Sequence, residues 1–248
     1  MRLAPSLHRL GQPIVACYLL DEAGAVTIID AGVPAYYADL AAELAAMGRT
    51  IEDVRALVLT HGHDDHTGFA ERLHAEHDVP VSIHALDAAL ARREVGNPAA
   101  GMGERKLRCL LHYMLWLVRR GGLRTKALAE VGTLEPGATL DVPGALRVIP
   151  MPGHTPGSVA FHAPAHDALF TGDALVTDAV INERRGPQVS PFAADPDEAL
   201  ASLANIEAIE AHWLLPGHGE PWTGGVAAAV AATREVGVAH LARKKQKR

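Results

Sequence analysis

Two apolar, β-branched runs open the chain, at residues 14–20 and 25–29. Asp21, Glu22, Ala23 and Gly24 lie between them, and such a spacer predicts a β-hairpin. Residues 34–47 carry apolar side chains at helical spacing with Pro34 in the first turn, which predicts a helix. Residues 55–60 read as a short buried strand that runs straight into His61. A helix over 67–77 and a strand over 80–84 follow. Strand and helix alternating through the first 90 residues indicate a layered α/β protein.

The pattern changes at residues 92–131. Residues 97–103 are loop-like, and 107–118 are then almost wholly apolar before Arg119, Arg120, Gly121 and Gly122. This predicts a helical insert, and a helix apolar on nearly every side is expected to pack under another layer. Short strands resume at 138–142, 146–149, 158–162 and 168–170, bounded by Pro and Gly, as in a mainly antiparallel sheet. Asp195 caps a helix expected to run to about Glu210, with Pro196 in its first turn. A last strand at 213–215 and a helix over 226–241 close the chain.

Length and composition narrow the class. The 248 residues are read as one domain with a helical, lid-like insert at about 92–131. Hydrophobic residues at 48% and charged residues at 21% suit a globular protein and exclude disordered or collagen-like chains. Cys17 and Cys109 are the only cysteines, so no disulfide framework or four-cysteine zinc site can form. A reducing, cytoplasmic setting is therefore expected. The apolar run at 13–20 is too short to span a membrane and lacks a cleavage site for export.

Histidine is the odd count, at 14 against five lysines. Imidazole is the commonest metal ligand. His61, Gly62, His63, Asp64, Asp65 and His66 put three imidazoles and two carboxylates into six residues at a strand end. In a straight strand His61 and His63 would face opposite ways; Gly62 is expected to allow a turn that gathers them. Such donors suit zinc, and also iron or manganese. His154, Asp173 and His218 each sit beside glycine in segments tied to strands.

In these features the chain resembles the metallo-β-lactamase superfamily. The resemblance rests on the ordered series His61, His63, Asp65, His66, His154, Asp173 and His218, with Asp30 after an early strand. It implies a four-layer αββα sandwich holding two divalent metal ions, zinc being expected. It implies His61, His63 and His154 as ligands of one metal, Asp65, His66 and His218 of the other, and Asp173 between them. Asp30 would support the ligand loop from behind. Two ions sharing one water lower its pKa and supply hydroxide near neutral pH. Asp65 is then the catalytic candidate, as a proton shuttle. Asp64 is read as solvated or capping.

The resemblance also orders the substrates. Exported β-lactamases of this kind generally lack the aspartate at the Asp173 position, and flavodiiron relatives carry glutamate where His63 stands. Small esters, lactones and thioesters remain, as in lactonases and glyoxalase II. The alternatives are a phosphodiesterase or nuclease, a mononuclear iron persulfide dioxygenase, and a binding module that has lost catalysis. The insert, over 92–126, holds nine Lys and Arg against Glu94 and Glu104, although the whole chain has a net charge of −6. It reads as a lid with an acyl-binding face, a homodimer contact, or a helix lying on a membrane. The overall charge disfavours nucleic acid as a partner, and the basic residues from 243 to 248 read as a solvated end. His112 and Tyr113 are possible substrate contacts, Glu183, Arg184 and Arg185 read as solvated with substrate contact as the alternative, and Trp222 reads as a packing residue.

Overall fold

The computed structural model describes residues 1–98 and 104–241. Most of the 97–103 loop and the whole basic tail therefore lie outside the described residues. The first sheet runs, in spatial and sequence order, through β1 (Arg2–Ala4), β2 (Leu7–Gln12), β3 (Val15–Glu22), β4 (Ala25–Ile29), β5 (Val54–Val58), β6 (Val81–His84) and β7 (Gly132–Leu134). Its first four strands are antiparallel, and β4 to β7 are parallel. The crossovers carry α1 (Tyr37–Ala46), α2 (Ala70–His77) and α3 (Ala85–Ala91). The insert supplies α4 (Leu107–Arg119).

The second sheet has the order β13 (Trp213–Pro216), β10 (Ala168–Gly172), β9 (Val159–Ala163), β8 (Arg147–Pro150). It is antiparallel except for the β10–β13 pair. A small ribbon pairs β11 (Val176–Asp178) with β12 (Arg185–Gln188). Helices α5 (Pro196–Ser202) and α6 (Val226–Val236) complete the set.

The two-residue period of the strands explains the layering. On β3, Val15, Cys17 and Leu19 face a core shared with Leu40 and Leu44 of α1 and Leu73 of α2. Ala16, Tyr18 and Leu20, between them in sequence, face a second core with Phe161 of β9 and Phe170 of β10. On the far sheet Ala160 and Leu169 turn the other way, into a third core with Val226 and Val230 of α6. Three apolar cores between four layers make an αββα sandwich.

Several sequence expectations change. Residues 138–142 form no strand; Thr139 makes an isolated bridge to Arg147, because Gly144 and Ala145 turn the chain back with positive φ. The helix capped by Asp195 ends at Ser202 and tightens to a 3-10 turn, Leu203–Asn205. The last helix stops at Val236, before Gly237 at φ +62°. Helix α4 is not buried all round. Tyr113 is its one fully buried residue, and the apolar side chains of another face are exposed, because only one side has a layer beneath it. No helix among the described residues is long and apolar enough to cross a membrane.

Candidate metal centre

All seven predicted donors converge at one edge of the sandwich, and all but Asp65 are fully buried. His61, His63, Asp65 and His66 follow β5; Asp173 follows β10 and His218 follows β13. His154 lies between β8 and β9. Strand ends from both sheets thus deliver the set to one place.

Two clusters share this edge. His154 Nε2 lies 3.1 Å from His61 Nε2 and 3.0 Å from His63 Nδ1. Asp65, His66 and His218 form the second group. Asp173 stands between them: its Oδ2 is 3.4 Å from His154 Nε2 and 3.2 Å from His218 Nε2, and its Oδ1 is 3.3 Å from His66 Nε2.

The partners behind the rings set their tautomers. His66 Nδ1 donates to Asp30 Oδ2 at 2.9 Å, and His218 Nδ1 donates to the Ile14 carbonyl at 2.5 Å. His63 Nε2 donates to Asn97 Oδ1 at 2.9 Å. In a neutral ring the opposite nitrogen then carries a lone pair. Those lone pairs point at one another and at the Asp173 and Asp65 carboxylates. Such a collection of bases is stable only around positive charge, so the residues present fit divalent cations.

Without metal the rings divide into two sets, three that resist protonation and two that hold it. Burial, reinforced by neighbouring imidazoles, holds His61 well below its ordinary pKa. Burial takes His154 down to about 3, and it lowers His63 as well. Burial opposes charge on His218 too, but the charge and hydrogen bond of Asp173, with Asp65, outweigh it and raise the pKa to about 9. His66 also overcomes burial and rises, through Asp30 and Asp173. For Asp173, burial works against ionisation, yet His218, His66 and His154 keep the carboxyl well below its usual range.

The support around the donors was only partly expected. Asp30 stands where the sequence placed it, at φ +61°, and also accepts from Thr60 N at 2.7 Å and Thr60 Oγ1 at 2.8 Å. Gly62 does not adopt positive φ. A Cβ there would come within 3.1 Å of Asp87 O and Ala91 N, so the glycine lets the ligand loop lie against α3. Gly217 is required for a similar reason: its Cβ would sit 2.6 Å from Asp173 Oδ1.

Asp87 was not anticipated. Its buried carboxylate accepts from Gly62 N at 2.9 Å, Thr155 Oγ1 at 2.6 Å and Gly157 N at 2.8 Å. One side chain therefore ties the loop of His61 and His63 to the loop of His154. Ser190, also unanticipated, donates to Asp173 Oδ2 at 3.3 Å.

Over the donors lies a cavity of about 360 Å³. Helix α4 contributes Tyr113 and Leu117 to its wall, and Phe192 closes another side. Tyr113 donates to Asp65 Oδ2 at 2.8 Å. Burial, and then Asp65, push its pKa far up, so the hydroxyl keeps its proton. Asp64 sits at the rim in an ion pair with Arg93, at 2.5 Å, and caps no helix. His112 is exposed and lines a different cavity. Glu183 pairs with Lys106 and Arg108, Arg184 with Glu104, and Arg185 with Asp178. Trp222 packs against the third core.

Comparison with known proteins places this geometry. The family model of the metallo-beta-lactamase superfamily matches residues 10–218. The chain belongs to the metallo-β-lactamase superfamily. A probable metallo-hydrolase of Bacillus subtilis, YflN, is 26% identical, with 89% of this chain and 86% of the relative aligned. A hydroxyacylglutathione hydrolase of Anaeromyxobacter dehalogenans is 30% identical over 81% of this chain, which spans 60% of that protein's length. Among solved structures, a metallo-β-lactamase family protein of Thermus thermophilus, TTHA1429, aligns at TM-score 0.67 and 24% identity, covering 93% of this chain and 79% of the other. TTHA1623, solved in a di-iron-bound form, aligns at 0.60 and 27%, covering 91% and 96%. The chain is a metal-dependent hydrolase of this superfamily.

Proposed function

We propose that this chain hydrolyses a small ester, lactone or thioester with two divalent metal ions, zinc by expectation. The observation that carries this reading is Asp173, a buried carboxylate shared between two clusters of imidazole lone pairs. His61, His63 and His154 would hold one ion, Asp65, His66 and His218 the other, with Asp173 common to both. Bound there, the ions would supply Lewis acidity and a hydroxide nucleophile near neutral pH.

The protein's own groups do the rest. Asp65 reaches the cavity and can take up and release a proton at Oδ1, because Tyr113 already donates to Oδ2. Leu117 and Phe192 give the cavity apolar walls that shield the reacting centre from bulk water. The thioester option draws support from the hydroxyacylglutathione hydrolase relatives. With iron in a neighbouring structure, iron is the alternative metal.

The test is a hydrolysis panel run on protein of measured metal content: homoserine lactones, S-lactoylglutathione, aryl esters and phosphodiesters. Chelation should abolish turnover of one of the first three classes, and zinc, iron or manganese should restore it. Turnover that survives complete metal removal refutes the proposal, and turnover of phosphodiesters alone replaces it with a phosphodiesterase.

A further inference from the structure

Nine large hydrophobic side chains are exposed among the described residues, and six of them lie between residues 107 and 123. On α4, Leu107, Leu111, Met114 and Val118 follow one another at spacings of four, three and four, so they share one face, with Leu115 beside them. These five are 40–71% exposed. The opposite face is anchored: Tyr113 is buried, and Leu110, Trp116 and Leu117 pack on the first core. The outward face is therefore turned toward solvent.

Its flanking charge is mainly basic. Residues 105–129 contain no Asp or Glu and seven Lys or Arg, of which Lys106 and Arg108 pair with Glu183. Arg105, Arg119, Arg124 and Lys126 are exposed around the apolar stripe.

We infer that the outward face of α4 docks on an anionic lipid surface. An apolar stripe bordered by cations matches the boundary between acyl chains and phosphate headgroups. A second copy of the chain matches it poorly. A helix of 13 residues offers a strip roughly 20 Å by 10 Å, so two copies would bury about 400 Å² against the roughly 1,200 Å² of a stable interface. Twofold pairing would also bring like charges together. Nucleic acid matches poorly too, since the centre of the patch is aliphatic and offers bases no aromatic platform. The inference stands apart from the hydrolase reading, because docking needs neither metal nor turnover.

The test is sedimentation of the full chain with vesicles of phosphatidylcholine alone or mixed with phosphatidylglycerol, at low and high salt. The expected result is binding to the mixed vesicles only, weakened by salt. The pair Leu111→Gln and Leu115→Gln should reduce partitioning by about tenfold or more with unchanged circular dichroism. The pair Arg119→Gln and Arg124→Gln should weaken it severalfold and flatten the salt dependence. No binding, or equal binding to both vesicles, overturns the inference. So does a micromolar dimer that the leucine pair dissociates, or capture of RNA in place of vesicles.

Discussion

Asp87 is the residue on which the centre's geometry depends without contributing a donor. Replacing it with asparagine keeps the shape and removes the charge. The carboxylate serves three donors, of which Gly62 N and Thr155 Oγ1 share Oδ2. If the amide nitrogen takes the Oδ2 position, the Gly62 N–H faces another donor inside a closed site. Thr155 can turn to Ser158 Oγ, already 2.7 Å away, but the backbone of Gly62 cannot turn. If the amide is flipped, Gly157 N loses its acceptor instead. One buried donor left unmet costs roughly 1–3 kcal/mol, and the charge lost from the remaining bonds adds about 1 kcal/mol. We expect a total near 3 kcal/mol, or a fall in Tm of roughly 6–12 °C for a chain of this size. The two ligand loops also lose their tie, so zinc affinity should fall about 10- to 100-fold. Urea unfolding of metal-stripped protein reads the first effect, and zinc competition with a chromophoric chelator reads the second. Asp39→Asn, at an exposed acid in the first turn of α1, is the control. An Asp87→Asn protein within about 0.5 kcal/mol of wild type and with unchanged zinc affinity refutes the reasoning.

Three further outcomes follow from the same geometry. Asp30→Asn should lower metal affinity by about 10- to 100-fold, because His66 Nδ1 loses its carboxylate; isothermal titration with zinc measures this, and an unchanged affinity contradicts it. Tyr113→Phe should lower kcat by roughly tenfold with KM within about twofold, since the hydroxyl acts on Asp65; a rise in KM alone would make Tyr113 a substrate contact instead. Metal-free protein should be most stable near the ordinary histidine pKa of about 6.5. Below that, the unfolded chain gains protons that buried His61, His63 and His154 refuse, and Asp173 adds a further loss once the pH nears the carboxylate range. Above it, the stability from His218 fades as the pH rises through about 9. Thermal unfolding across pH 4.5–9.5 tests the bell shape, and a flat or one-sided profile contradicts it.

What the sequence discloses depends on whether a residue's role is local. His61 to His66 are legible because four donors fall in six residues at the end of one strand, and Asp30 because it follows the neighbouring strand. Asp87 is not, because an acid in the first turn of a helix ordinarily answers the helix dipole. Its role arises only when α3 crosses behind Gly62 and the loop of Thr155 arrives from far along the chain. Strands β1 and β2 are hidden for a related reason. His8 and Arg9 look like surface residues, yet both are buried, each against an acid supplied from elsewhere, Glu43 and Glu220. Residues 138–142 fail in the opposite direction, since their pattern suits a strand but the turn at Gly144 and Ala145 leaves a single bridge.

Helix α4 shows the limit most clearly. Its sequence discloses its apolar character but not its burial, because hydropathy belongs to the side chains while burial belongs to the place the helix occupies. Laid across the edge of the sandwich, α4 covers the centre with Tyr113 and Leu117 and turns Leu111 and Leu115 outward. The basic residues beside that stripe then matter for the surface the helix meets and not only for the cavity it covers. A mutation on one face can therefore be separated from a mutation on the other: Tyr113→Phe should change turnover without changing vesicle binding, and the Leu111 and Leu115 pair should do the reverse with a soluble substrate.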